Sequence, residues 1–394
     1  MDAENQNLRL GKSILVPSVQ ELAQKSLESV PERYIQLNQE PIILGADDEL
    51  SNHNDFQVPI IDMKTLVSGD VLELDKMHSA CKEWGFFQLI NHGIDASLVE
   101  KFKLETQEFF NLPLEEKKRY WQTPSEVEGF GQAFVVSEEQ KLDWADIFFL
   151  TTLPKHLRKP NLLPMLPLPY RDTLETYSAE LHKLAMELLD CMSKALTIDT
   201  KAMRAMFGNQ GLFQSMRMNY YPPCPQPDKV IGLTPHSDGV ALTILLQLNE
   251  VEGLQIRKDG KWVSIMPLSD AFVVNIGDIL EIMSNGIYRS ILHRSVVNVS
   301  IERMSVAAFH SPTSDGEIGP LPDLITPSTP AKFRRISVAD YFRELFTLVE
   351  ALLSILEFQT NLHVELQLTW VAPLSLFLHV PGRAHLIWEG LHLK

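Results

Sequence analysis

The sequence predicts a mainly β protein with flanking helices, built as a double-sheet barrel or jelly roll behind an N-terminal α/β module. Three observations predict it. Beyond Gly211 the chain breaks into short β-like runs separated by turn signals. Ahead of that region strand and helix signals alternate, and one long amphipathic helix stands between the two parts. At 394 residues, with 45% apolar and 22% charged residues, the chain can bury a large core, and the composition excludes disordered, collagen-like and coiled-coil classes.

Residues 1–56 form a polar lead-in with one helix start, where Ser18 stands after Pro17 and three residues before Glu21 in capping-box spacing. Val58 to Asp62 reads as a short strand. A helix through Leu74 to Lys82 meets Gly85 as its stop, and the strand Phe86 to Ile90 ends at Asn91-His92-Gly93. Pro154, Pro160, Pro164, Pro167 and Pro169 make Leu153 to Pro169 a connector. Leu181, Leu184, Ala185, Leu188, Leu189, Met192 and Leu196 then place an apolar stripe on one helix face, which needs a sheet to pack against.

Six later segments read as strands: Thr243 to Leu248, Leu254 to Arg257, Trp262 to Ile265, Phe272 to Ile276, Ile287 to His293 and Val306 to Phe309. Asp259-Gly260 and Asn285-Gly286 supply turns at two of the joints. The expected division is lead-in 1–56, N-terminal module 57–165, scaffold helices 166–210, barrel core 211–312, a C-terminal helical segment 313–346 and a tail 347–394.

A net charge of −16 has the wrong sign for nucleic acid or an anionic membrane. Three cysteines, widely spaced and without a Cys-x-x-Cys pair, indicate neither a disulfide framework nor a cysteine zinc site. The first residues hold no apolar run long enough for secretion. These features together predict a cytoplasmic protein.

His236 and Asp238 are two residues apart, so on a strand both side chains leave one face and offer a metal one nitrogen and one carboxylate. With 12 histidines such a pair arises by chance, and His53-Asn54-Asp55 is that chance example, with no apolar strand to hold it. His293, in another apolar run, completes two histidines and a carboxylate, the set that suits a non-haem Fe(II) oxygenase; a zinc hydrolase is the competing reading. Arg303 and Ser305 form a second such pair, fit to clamp a carboxylate or to serve a surface salt bridge. Arg217 to Pro225 adds polar groups ahead of a proline run, either a ligand site or a stiff connector.

Taken together, His236-x-Asp238, His293, Arg303-x-Ser305 and Asn219-Tyr220-Tyr221-Pro222 resemble the plant 2-oxoglutarate- and Fe(II)-dependent dioxygenases of the isopenicillin N synthase-like fold. Cys81 to Gly93 carries the resemblance into the N-terminal module. Leu15 to Ala23 and Leu142 to Phe148 resemble the group of morphinan O-demethylases, senescence-related dioxygenases and norcoclaurine-synthase-like proteins. The resemblance runs from about residue 12 to about residue 346. It implies a double-stranded β-helix core, with His236, Asp238 and His293 as iron ligands. Arg303, Ser305, Tyr221 and Asn219 would bind 2-oxoglutarate, with O2 as second co-substrate and ascorbate as reductant. It also implies a monomer that oxidises a small specialised metabolite such as an alkaloid or phenolic, by hydroxylation, O-demethylation or desaturation. Phe309, Ile147, Phe149, Arg217 and Phe134 would line the substrate pocket.

Two other readings compete: a condensing enzyme independent of 2-oxoglutarate, and an inactive isoform or binding protein. The second arises because the chain departs from the family pattern after Phe346. Residues 347–394 are apolar and charge-poor, and Leu366 to Gly382 has no charge. Pro373 and Pro381 disfavour a membrane span there, and an altered gene-model or splice product is the expected source.

Overall fold

The computed structural model describes residues 14–25, 27–36, 57–123, 126–132, 135, 137–207 and 212–345. The chance pair His53-Asn54-Asp55 of the lead-in, the pocket residue Phe134 and the tail 347–394 lie outside the described residues.

Helix α1 (Val19–Ala23) is capped by Ser18, whose hydroxyl accepts from the Glu21 amide at 3.3 Å. Next come β1 (Ile60–Asp62), α2 (Met63–Val67) and α3 (Val71–Ser79). A π-helical turn, Ala80–Trp84, prolongs α3 to Gly85, whose φ of 62° supplies the left-handed stop. After β2 (Phe86–Ile90), Asp95 caps α4 (Ala96–Asn111), and α5 (Leu114–Lys117) leads to β3 (Gly129–Gly131) and β4 (Asp146–Leu153). The proline-rich connector ends in α6 (Leu168–Ala195), which tolerates Pro169 in its first turn because an amide there needs no helical partner. Beyond α7 (Thr200–Ala205) lie β5 (Leu212–Tyr221), β6 (Leu233–His236), β7 (Leu242–Gln247), β8 (Leu254–Lys258), β9 (Lys261–Ser264) and β10 (Phe272–Ile276). The chain continues through α8 (Asp278–Met283), β11 (His293–Ser295), β12 (Arg303–Pro312), β13 (Glu317–Ile318) and β14 (Ile336–Ser337).

Eight strands form one sheet in the order β1-β2-β10-β7-β12-β5-β4-β3, and four form a second, β6-β11-β8-β9. Strand alternation gives the large sheet two different faces. Met304, Val306 and Ala308 of β12 and Met216, Met218 and Tyr220 of β5 share one apolar core with Leu181, Leu184 and Leu188 of α6. Phe102 of α4 stacks on Tyr177 of α6 at 4.0 Å, and Phe109 stacks on Phe148 of β4 at 4.6 Å. The odd-numbered residues of β12 and β5 turn to the other side, toward the small sheet. The structure therefore has the predicted fold class, a sheet-rich core with helices against the outer face of its large sheet. Among the described residues no helix is long and apolar enough to cross a membrane.

The structure corrects four local expectations. Ile287 to His293 is not a strand; the chain coils to His293 because the Arg289 amide donates to the Cys81 carbonyl (3.1 Å) and the Ser290 amide to the Glu281 carboxylate (2.6 Å). Asn285-Gly286 closes α8 rather than a hairpin, with the Gly286 amide reaching back to the Glu281 carbonyl at 2.8 Å. Asp259-Gly260, with φ values of 48° and 79°, does make the tight turn between β8 and β9. Of the two readings of the run ahead of Pro222, the stiff connector gives way to a strand, β5, inside the large sheet. Lastly, β6 ends at His236, so Asp238 lies past the strand end rather than on it.

Candidate metal centre and co-substrate pocket

Register sets the first contact of the site. His236, last residue of β6, pairs directly with His293, first residue of β11, and the two rings lie side by side with centroids 4.2 Å apart. Each ring turns its Nδ1 to a backbone carbonyl, Thr234 at 2.8 Å and Ile291 at 3.2 Å. Those acceptors fix the proton on Nδ1 and leave the Nε2 lone pairs pointing inward. The chain then turns so that Asp238 faces both: Oδ1 lies 3.6 Å from His236 Nε2 and 3.8 Å from His293 Nε2. Asp238 Oδ2 accepts from the Thr243 hydroxyl (2.6 Å) and the Asn275 amide (2.7 Å), which aims Oδ1 at the imidazoles.

This donor set fits a metal. The three residues are buried and offer ligand atoms all within 4.8 Å of one another. Bonds of about 2.0–2.2 Å at right angles place ligand atoms roughly 3 Å apart, so small side-chain movements close the triad on an ion. Burial, with His293 alongside, depresses His236 to about 3, so its lone pair is free at neutral pH. Burial opposes the charge of Asp238, but the two imidazoles and the Thr243 and Asn275 donors outweigh it and hold the carboxyl below its ordinary range. Two histidines and one carboxylate with open positions are the ligand pattern of non-haem Fe(II) oxygenases.

Beside the triad, a two-by-two patch occupies the inner face of the large sheet. Arg303 pairs with Tyr221, and Ser305 with Asn219. The Arg303 guanidinium is only 2% exposed; it donates to Ser295 Oγ (3.1 Å) and Gln247 Oε1 (3.2 Å) and lies over the Tyr221 ring at 5.3 Å. Its Nε is buried without a partner, and among the described residues no carboxylate pairs with it. Burial lowers the Arg303 pKa from its ordinary value, although no native pH removes a guanidinium proton. A buried cation held only by neutral groups is costly, and a ligand carboxylate is the group that satisfies it. Gly253 makes the room: a Cβ there would meet Arg303 Cδ at 2.6 Å. The Asn219 amide donates to Ser305 Oγ at 3.3 Å, while its own Oδ1 is buried and unpartnered.

The predicted pocket residues Ile147, Phe149, Arg217 and Phe309 lie on the same inner face. Ile147 pairs with Asn219 and is buried; Phe149 pairs with Arg217, and both are half-buried. Phe309 meets Phe149 edge to face at 6.4 Å. Arg217 buries an unpartnered Nε, and its charge helps to depress His236. Two other described histidines are occupied elsewhere. His92 caps its own turn by accepting from the Ile94 amide (3.2 Å), and His310 faces the helices, where its Nε2 contacts the Gln214 amide nitrogen (3.0 Å). Thr243, Asn275, Gln247 and Ser295 went unread in the sequence. Their only signal is strand register, which brings them to the site from three strands, β7, β10 and β11.

Residues 212–312 match the 2OG-Fe(II) oxygenase superfamily, and residues 58–165 match the N-terminal region of non-haem dioxygenases in morphine synthesis. Codeine O-demethylase of Papaver somniferum is 53% identical over 86% of this chain and 94% of its own length. The chain belongs to the 2OG-Fe(II) oxygenase superfamily. The oxoglutarate-dependent flavonoid 7-O-demethylase 1 of Ocimum basilicum is likewise 53% identical, over 86% of this chain and 89% of its own. Among solved structures, JOX2 in complex with 2OG, Fe, and JA shares 36% identity at a TM-score of 0.74, covering 85% of this chain and 93% of that one. The protein is thus a 2-oxoglutarate-dependent dioxygenase, an oxidoreductase that uses Fe(II).

Proposed function

We propose that His236, Asp238 and His293 hold the iron, and that Arg303 and Ser305, aided by Tyr221 and Asn219, bind the distal carboxylate of 2-oxoglutarate. One observation carries this reading: beside a three-ligand cluster lies a buried arginine that has no carboxylate partner among the described residues. When bound, iron supplies O2 activation, and conversion of 2-oxoglutarate to succinate and CO2 drives oxidation of a substrate C–H bond. The protein's own part is orientation. Arg303 fixes one end of the co-substrate by charge and fork geometry. Asn219 and Ser305 fix its roll, and the walls exclude water.

The pocket beyond, with Phe149 and Phe309 inclined at 68° and Ile147 and Arg217 on the same sheet face, suits a flat aromatic molecule. We assign the protein to oxidation of a specialised plant metabolite, an alkaloid or phenolic, and O-demethylation is the favoured outcome. There the attacked carbon is an O-methyl group, so the hydroxylated product loses formaldehyde and leaves a free hydroxyl. Both demethylase relatives support this reading. It is completed by a cytoplasmic monomer that uses ascorbate as reductant, by Phe134 as a further pocket wall, and by the segment boundaries given above.

The test is anaerobic addition of Fe(II) and then 2-oxoglutarate, watching for the visible charge-transfer band of a chelated keto acid. A band in the wild type and none in His236→Ala is expected, followed by succinate release across a panel of methoxylated flavonoids and alkaloids. Iron binding without the band would remove Arg303 and Ser305 from the co-substrate site. Turnover without 2-oxoglutarate would favour a condensing activity.

A further inference from the structure

The strand that carries His236 is poorly supported for its task. β6 is an edge strand of the small sheet, bonded on one side only to β11, and its register slips between the His293–His236 and Ser295–Leu233 pairs. An edge strand with a slipped register has backbone groups to spare and little to fix its rotation. On its open side stands Asp143, just ahead of β4. One oxygen, Asp143 Oδ1, accepts from both the Thr234 amide (3.2 Å) and the Thr234 hydroxyl (2.5 Å). The carbonyl of that same Thr234 takes the Nδ1 proton of His236 at 2.8 Å. Asp143 thus stands where a neighbouring strand would be, one residue removed from the bond that orients the imidazole.

Asp143 is itself firmly placed. The Leu142 amide donates to the Arg33 carbonyl (2.9 Å), and the Trp144 amide donates to the Ile231 carbonyl (2.7 Å). The Trp144 indole donates to the Pro222 carbonyl at 3.2 Å. The Leu142 to Phe148 segment, which marks the subgroup in the sequence, is therefore a fixed bracket between the N-terminal arm, β5 and β6.

We propose that Asp143 is a positioning residue for the metal centre, acting through Thr234 to hold His236 Nε2 on its bearing. This rests on the reading of His236 as an iron ligand. The bonds, rather than the charge, carry the effect: an asparagine keeps an Oδ1 acceptor of the same shape, whereas an alanine removes it.

The experiment measures the dissociation constant for Fe(II) anaerobically in the full chain, with 2-oxoglutarate affinity at saturating iron and the unfolding midpoint read beside it. Asp143→Ala is expected to weaken iron by about 10- to 100-fold, the range typical of groups that orient metal ligands. Asp143→Asn should stay within about threefold of wild type. Thr234→Val, which loses only the hydroxyl, should weaken iron in the same direction, and the double variant should be no weaker than Asp143→Ala alone. Co-substrate affinity at saturating iron should be unchanged in all of them. Wild-type iron affinity in Asp143→Ala would overturn the proposal. So would equal losses in Asp143→Asn and Asp143→Ala, which would place the effect in the charge facing Arg217. If Asp143→Ala does not fold, Thr234→Val decides, since an unchanged constant there rejects the relay. A wild type that binds iron no better than His236→Ala would instead reject the ligand assignment on which the proposal rests.

Discussion

Truncating Arg303 and truncating His236 remove different things, because one side chain faces the co-substrate and the other the metal. Without its guanidinium, the patch of Tyr221, Asn219 and Ser305 retains only neutral groups for a carboxylate, and charge-assisted bonds to a buried anion are worth about 1.5–3 kcal/mol each. Arg303→Ala should therefore weaken 2-oxoglutarate by more than about 100-fold while Fe(II) affinity stays near wild type, both measured by anaerobic titration. Equal loss of iron would show that the substitution has disturbed the fold, through the bond to Ser295 on the neighbouring sheet (3.1 Å), rather than a clamp. Arg303→Lys should recover little: an ammonium cannot hold Ser295 and Gln247 and still present a planar fork. The triad and this arginine were legible in the sequence because each pair repeats at two residues and the whole constellation resembles a known family. Thr234, Asp143, Thr243 and Asn275 were not, since a threonine or asparagine that orients a ligand looks like any other until register brings it there.

Strands and helices show the same division between pattern and context. β2 and β10 were read with their observed bounds, each being a short apolar run closed by a turn signal. β5 was missed as a strand although its alternation of Arg217, Met218, Asn219 and Tyr220 is two-fold; methionine, arginine and asparagine carry little β preference, and the proline run that follows suggested a connector. Ile287 to His293 failed in the opposite sense, since the run up to Leu292 is a coil that buries Tyr288 and is pinned to α8 and to the π-helical turn after α3. On β12, alternation sends Phe309 to the pocket and His310 to α6, and the latter placement has a pH consequence. Gln214 accepts at Oε1 from Thr152 (2.5 Å) and from Ser178, so its amide nitrogen is the group that donates to His310 Nε2 (3.0 Å). The imidazole is thereby required to be neutral, and burial depresses it to about 3. Unfolded histidine titrates near 6.5, so below that pH the unfolded chain binds a proton that the native state refuses. This contribution to stability is complete above about pH 6.5 and declines toward pH 3 at about 1.4 kcal/mol per pH unit. Metal-free wild type should lose roughly 2 kcal/mol more than metal-free His310→Leu between pH 7.5 and 5.0, read from denaturant midpoints. Parallel losses in the two proteins would mean that His310 is protonated in the fold.

At the scale of the molecule, the candidate iron site is a junction between the two sheets rather than a feature of either. His236 and His293 belong to the small sheet, while Asp238 is aimed by Thr243 of β7 and Asn275 of β10 in the large one. The co-substrate patch repeats the pattern, with Arg303 of the large sheet bonded to Ser295 of the small. A metal bound there joins the two sheets; of the helices α8 touches the site, its Asp278 amide donating to the Asp238 carbonyl at 2.8 Å, whereas α4 and α6 pack on the outer face of the large sheet. Mass action alone stabilises the fold by about 2.7 kcal/mol at a hundredfold excess of ligand over its dissociation constant. The bridging geometry adds a claim about where that stability appears. Fe(II) should slow amide exchange in β6, β11, β7 and β10 together, because local opening that separates the sheets must break metal bonds, and it should leave α4 and α6 close to their metal-free rates. Adding 2-oxoglutarate should extend the protection to β12 and β5 in the wild type and fail to do so in Arg303→Ala. Protection confined to β6 and β11 would mean that the ion is held by the histidines of one sheet and that Asp238 does not join them.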